Sequence, residues 1–255
     1  MPKEKFFNSK SPFDSLDRLE NNLASVNKLD DLFDEFNLSK YNYNDKRMMC
    51  HMREWHEEHN FDLIHEPKHY HCVKGKIREY VFCKDSESWG KNFRFAFNFD
   101  SMFNHDCFLV KGLYEWIPVD YKYQSNTFWP QKNPWNIHGG NFLTLKENQI
   151  PKMCRDKIPL VVIQRDVDFT KGYNQKVLSF AKSYPWTEEQ VELKTENRIC
   201  IVNTEQLCQM HTQKKDIIFL EVPENKRKKH NDSAKGNWDG KTVGFSFQLF
   251  SNFLV

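Results

Sequence analysis

The stretch from His105 to Gln124 constrains this chain most. Asp106 is followed at once by the apolar run Cys107-Phe-Leu-Val110, then by a turn bearing Gly112, then by a second apolar run that ends in Asp120-Tyr-Lys122. Two short strands joined through a glycine turn predict a hairpin. If both runs are strands of one hairpin, Asp106 and Asp120 converge at the same end of the sheet. Side chains two residues apart on a strand share a face, so Asp120 and Lys122 lie together and Tyr121 points to the other side.

Around this hairpin the pattern is mixed. Residues 12 to 36 predict an acidic amphipathic helix: Leu16, Leu19, Leu23, Val26, Leu29, Leu32 and Phe33 recur at three- and four-residue steps, with Ser15 or Asp14 as cap. So acidic a helix belongs away from a phosphate backbone. Residues 44 to 60 predict a second helix, with Asp45 near its start and an apolar stripe of Met48, Met49, Met52 and Trp55. A short strand is expected at Phe61 to Ile64. From Lys68 to Phe99 the reading is β-like, at Tyr80-Val-Phe82 and in the alternation of residues 93 to 99.

Residues 125 to 140 hold turn chemistry (Trp129-Pro130, Asn133-Pro134, Gly139-Gly140). Beyond them come a buried strand at 158–163, a helix at 173–184, strands at 190–194 and 198–202, a short helix near 204–211, and strands at 216–222 and 242–250. Strands and helices alternate through this half. The expected fold is α+β or α/β, a mixed central sheet flanked by helices, preceded by a helical segment. The expected organisation is an acidic helical segment over 1–44 and a catalytic domain over 45–255 with a basic loop at 224–241.

Composition bounds the rest. The chain has 255 residues, 15% of them aromatic, which excludes broad disorder. The formal charge of +2 argues neither for nor against a nucleic-acid partner, so local patches must decide. No segment approaches the ~18 apolar residues needed to span a bilayer, and the N-terminus lacks a signal-peptide pattern. Seven cysteines without regular spacing suit reduced thiols better than a disulfide framework. A cytoplasmic protein without membrane contact is expected.

Carboxylates are hard oxygen donors that bind Mg²⁺, and a bound divalent ion polarises a phosphate and acidifies water. A neighbouring lysine orients that water and offsets charge. The hairpin resembles the PD-(D/E)xK nuclease superfamily, which includes type II restriction endonucleases and Holliday-junction resolvases. Asp106 matches the first acid, Asp120 the second, Lys122 the lysine and Gln124 a trailing glutamine. Asn104-His105 stands where proline is common, and Asp120 where glutamate is more usual. The resemblance covers residues 103 to 163. It implies a restriction-endonuclease-like fold and a Mg²⁺-dependent endonuclease acting on double-stranded DNA, with Mn²⁺ as a substitute ion. It further implies that Asp106 and Asp120 bind metal, that Lys122 positions the water, that Gln124 supports the strand end or the scissile phosphate, and that the protein acts as a homodimer. The family often adds a glutamate from a preceding helix, a place that Glu57 or Glu58 would fill.

Rival readings are a structure-specific resolvase or repair nuclease and a non-catalytic, viral-type structural or interaction protein. A second acid-x-Lys, Glu192 and Lys194 with Asp166 or Asp168 upstream, is separated from its acid by what reads as a whole helix. His51, His56, His59, His65, His69 and His71 with Cys50, Cys72 and Cys83 match no standard zinc spacing, and structural zinc is not expected. Trp129, Trp135 and His138, in the turn-rich stretch, and the basic run Lys226, Arg227, Lys228 and Lys229 are candidate nucleic-acid contacts.

Overall fold

The computed structural model describes residues 12–38, 43–100, 105–124, 142–168, 195–221, 241–246 and 251–254. These fall into two compact units, one ending at Arg78 and one beginning at Glu79.

The first unit is helical. Helix α1 spans Pro12–Glu35 and α2 spans Tyr43–His59. Leu29, Leu32 and Phe33 of α1 and Met48, Met52 and Trp55 of α2 are buried, as the stripes predict, although Leu23 is exposed. Arg53 donates to Asp30 at 2.8 Å and links the two helices. Asn60 closes α2 in the left-handed region, φ 49°. Buried Ser25 then ties down the next turn: its hydroxyl accepts from the Leu63 N–H and donates to the Phe61 carbonyl, each at 3.0 Å. The strand expected at 61–64 is thus absent, and this segment is a turn.

Helix α3, Pro67–Ser86, overturns the β-like reading that began at Lys68. Proline suits the first helical position because its missing N–H has no intrahelical partner there. Buried Val73, Ile77 and Tyr80 follow the helical period. The β-prone Tyr80-Val-Phe82 triplet yields to that longer pattern.

The second unit is built on a six-stranded mixed sheet. Strands β1 (Phe93–Phe97), β2 (Cys107–Lys111) and β3 (Glu115–Gln124) form an antiparallel meander. β3 continues into parallel pairing with β5 (Leu160–Asp168), which pairs antiparallel with β6 (Thr195–Asn203), and β6 with β9 (Ser251–Leu254). A second, three-stranded sheet orders β4 (Phe142–Lys146), β8 (Lys241–Ser246) and β7 (Ile218–Glu221). Helices α4 (Gln149–Arg155) and α5 (Thr204–Gln213) complete the unit. Asn203 caps α5 by accepting from the Gln206 N–H. The alternation at 93–97, the hairpin, β5, β6, β7, β8 and α5 match expectation; β4, β9, α4 and the grouping of β4, β8 and β7 into a second sheet do not follow from it. Residues 173–184 and 190–194 lie outside the described residues.

The period-two rule divides the core between the faces of the large sheet. Val119, Tyr121, Val162 and Ile199 pack with Phe82 and Cys83 of α3 and with Phe95. On the opposite face Val161, Ile163, Cys200 and Val202 pack with Leu143, Val243 and Phe245 of the second sheet and with Ile150, Met153, Leu207 and Met210 of α4 and α5. Helices therefore flank both faces. Cys154 and Cys208 are joined by a disulfide between α4 and α5, and the other five cysteines form no disulfide. The expectation of uniformly reduced thiols fails at this pair, whose separation of 54 residues hid it.

Candidate active site

The hairpin register places the two acids. Cys107 pairs with Val119, so one step further out Asp106 stands opposite Asp120. The ladder persists there, because the Asp106 N–H donates to the Val119 carbonyl at 3.1 Å. Asp106 does more than point into the site. Its Oδ2 accepts the Tyr121 backbone N–H at 2.8 Å, which fixes the carboxylate against β3. Buried Asn98 donates to the His105 carbonyl at 3.1 Å and steadies the residue before it.

Lys122 reaches both acids. Its Nζ donates to Asp120 Oδ1 at 2.8 Å and lies 3.8 Å from Asp106 Oδ2. Tyr121 and Tyr123 point to the other face, where their hydroxyls donate to Gln164 at 2.6 Å and Asp166 at 3.1 Å. All three charged side chains are mostly covered, with 22% of Asp106, 15% of Asp120 and 25% of Lys122 exposed. Burial drives the Asp120 carboxyl up to about 7; Lys122 opposes that rise, and the hydrogen bond and charge of Asp106 add to it.

The trio opens into a cavity of about 190 Å³ whose other wall is α4 and its exit: Gln149, Lys152, Met153, Asp156 and Ile158. Local rules build that wall. Ile150 and Met153 are buried, which turns Gln149, Lys152 and Asp156, spaced by three and four residues, onto one flank. Pro151 is tolerated because it sits in the first turn. At the far end the Lys157 N–H donates to Cys154 and the Ile158 N–H to Met153, with Lys157 left-handed at φ 54°. This backbone pattern is a Schellman closure.

Gln124, on the same face as Asp120 and Lys122, is buried and does not line this cavity; its Oε1 accepts the Thr144 N–H at 3.2 Å and so holds β4 to β3. Glu57 and Glu58 stand exposed on α2, in the first unit. No group of three or more His, Cys, Asp or Glu suited to a metal occurs among the described residues. Trp129, Trp135, His138, Lys226, Arg227, Lys228, Lys229, Glu192 and Lys194 lie outside the described residues, and Asp166 accepts from Tyr123 as above. His56 is buried against the Ser25 hydroxyl at 2.9 Å. His65 pairs with Asp62 at 3.1 Å. No helix among the described residues is long and apolar enough to cross a membrane.

The α4 residues escaped sequence reasoning. The helix has seven residues, and its one sequence signal is the Ile150 and Met153 spacing. Comparison with known proteins finds no matching family model, no matching curated protein and no matching solved structure.

Proposed function

We propose that this protein is a metal-dependent endonuclease of the PD-(D/E)xK type, with a restriction-endonuclease-like second unit, hydrolysing double-stranded DNA. The observation that carries the reading is the meeting of Asp106, Asp120 and Lys122 on one face of a hairpin, at an open cavity. Like charges directly opposite on a hairpin are destabilising, and Lys122 offsets only one of the two negative charges that a fully ionised pair would carry.

The donor set suits Mg²⁺, with Mn²⁺ as substitute. Two carboxylates with substrate phosphates and water are an ordinary Mg²⁺ environment, so a third protein acid is not required. Burial raises the Asp120 carboxyl to about 7 even beside Lys122, so an ion bound there would displace its proton. Asp106 and Asp120 would hold the ion, which when bound acidifies water and polarises the phosphate.

The chain's own residues supply the rest. The Tyr121 N–H keeps Asp106 aimed, so its carboxylate needs no reorientation when substrate arrives. Lys122 Nζ, held between the two acids, orients the attacking water and offsets charge on the scissile phosphate. Gln124 fixes the β3 end from which Asp120 and Lys122 project. Homodimerisation would bring a second such site to the opposite strand.

The test is incubation of the purified protein with linear duplex and with branched DNA, with and without Mg²⁺ or Mn²⁺. Metal-dependent fragments are expected. A preference for branched substrates would favour the resolvase reading, and no cleavage of either DNA with either ion would leave a non-catalytic interaction protein.

A further inference from the structure

The strand wall of the cavity commits its cation, and the helix wall does not. Lys122 is held by Asp120 and Asp106. Across the cavity, the Lys152 ammonium makes no ion pair or hydrogen bond among the described residues, although Asp156 lies one turn away. Asp156 instead lies 3.5 Å from Arg155. A lone lysine on a helix is ordinarily a solvated charge. Lys152 is likewise exposed, but the burial of Ile150 and Met153 and the closure at Ile158 fix the flank it occupies on the cavity wall.

Charge counting gives that placement a purpose. The cavity is lined by three acids, Asp106, Asp120 and Asp156, and by two lysines, Lys122 and Lys152, a formal net of one negative charge once Asp120 has lost its proton. A divalent ion would reverse the sign to one positive, suited to a phosphodiester. Of the groups present, Lys152 is the ammonium left to meet it. An ammonium is a compact point charge that grips phosphate without demanding the planar geometry of a guanidinium.

We propose that Lys152 binds a backbone phosphate of the DNA strand being cut and seats it against Asp106, Asp120 and Lys122, with the neutral Gln149 beside it. This rests on the nuclease reading and adds to it a substrate contact from α4.

The experiment compares full-length wild type, Lys152→Gln, Lys152→Arg and Lys152→Glu. Duplex binding is followed by anisotropy over a salt series, cleavage by steady-state kinetics, and folding by thermal melting. For Lys152→Gln the slope of log Kd against log salt should fall by about 1, the loss of one phosphate contact. Its KM should rise about tenfold while kcat changes less than about threefold. Lys152→Arg should restore both, and Lys152→Glu should weaken binding further. Wild-type slope and KM in Lys152→Gln, or a Lys152→Glu variant that binds normally, overturn the proposal. A cutting wild type with an indifferent Lys152→Gln sinks the Lys152 contact alone. A wild type that neither binds nor cuts DNA sinks the nuclease reading, and this contact with it.

Discussion

The β2–β3 hairpin carries a charged pair at each end, and the two pairs follow opposite rules. At the turn, Lys111 and Glu115 are cross-strand partners of opposite charge, 3.8 Å apart, with about half of each side chain in water. Gly112 allows that turn through its left-handed backbone, φ 59°. At the open end, Asp106 and Asp120 face each other with the same charge and mostly out of water. One pair is what stability selects at a solvated edge. The other opposes stability and is held by Lys122 and the Tyr121 N–H. A local rule kept at one end of an element and broken at the other is the pattern expected where a site has requirements beyond folding.

The largest expected effect breaks the open end outright. Lys122→Met should lower metal-dependent cleavage by about 10³-fold or more, with DNA binding largely retained. Retained cleavage would show that the lysine merely neutralises a structural pair.

Removing the staple on the opposite wall comes next. Reducing the disulfide, or replacing Cys154 and Cys208 with serine, should lower stability by about 2–4 kcal/mol. Chemical denaturation with and without a dithiol measures this. An unchanged midpoint would mean that α4 is held by Ile150 and Met153 alone.

Asp120→Asn sharpens the contrast, because function and stability should move in opposite directions. The folded carboxyl titrates near 7 instead of 3.8, so the native state keeps a proton that the unfolded chain releases. The contribution of Asp120 to stability is therefore best below about pH 4, declines as pH rises, and is worst above 7. At pH 8 the asparagine variant should be more stable than wild type by about 1–2 kcal/mol while losing cleavage. Wild-type cleavage should climb with pH through the neutral range, and added Mg²⁺ should shift that rise to lower pH. A flat profile would contradict the placement of this carboxyl.

The smallest effect is at the turn. Lys111→Ala or Glu115→Ala should cost under about 1 kcal/mol and leave cleavage unchanged. A large loss there would remove the asymmetry between the two ends.

Much of this was legible in the chain because it is local. The hairpin, the alternation of β1 and the stripes of α1 and α2 follow from periods of two and 3.6 residues. The misreadings arose where a short signal competed with a longer one. Tyr80-Val-Phe82 suggests a strand inside α3, and α4, at seven residues, is too short to show a helical period. The Cys154–Cys208 bond and the second sheet join residues far apart in sequence, which no local pattern reports.

By itself the sequence determined that Asp120 and Lys122 share a face, since a strand's pleat repeats every two residues whatever surrounds it. Only the tertiary structure decided that Asp106 stands opposite Asp120, that α4 brings Lys152 across from them, and that Asp120 is covered enough to hold its proton near neutrality. Register, helix docking and burial depend on contacts between distant segments, and those contacts form when the chain folds.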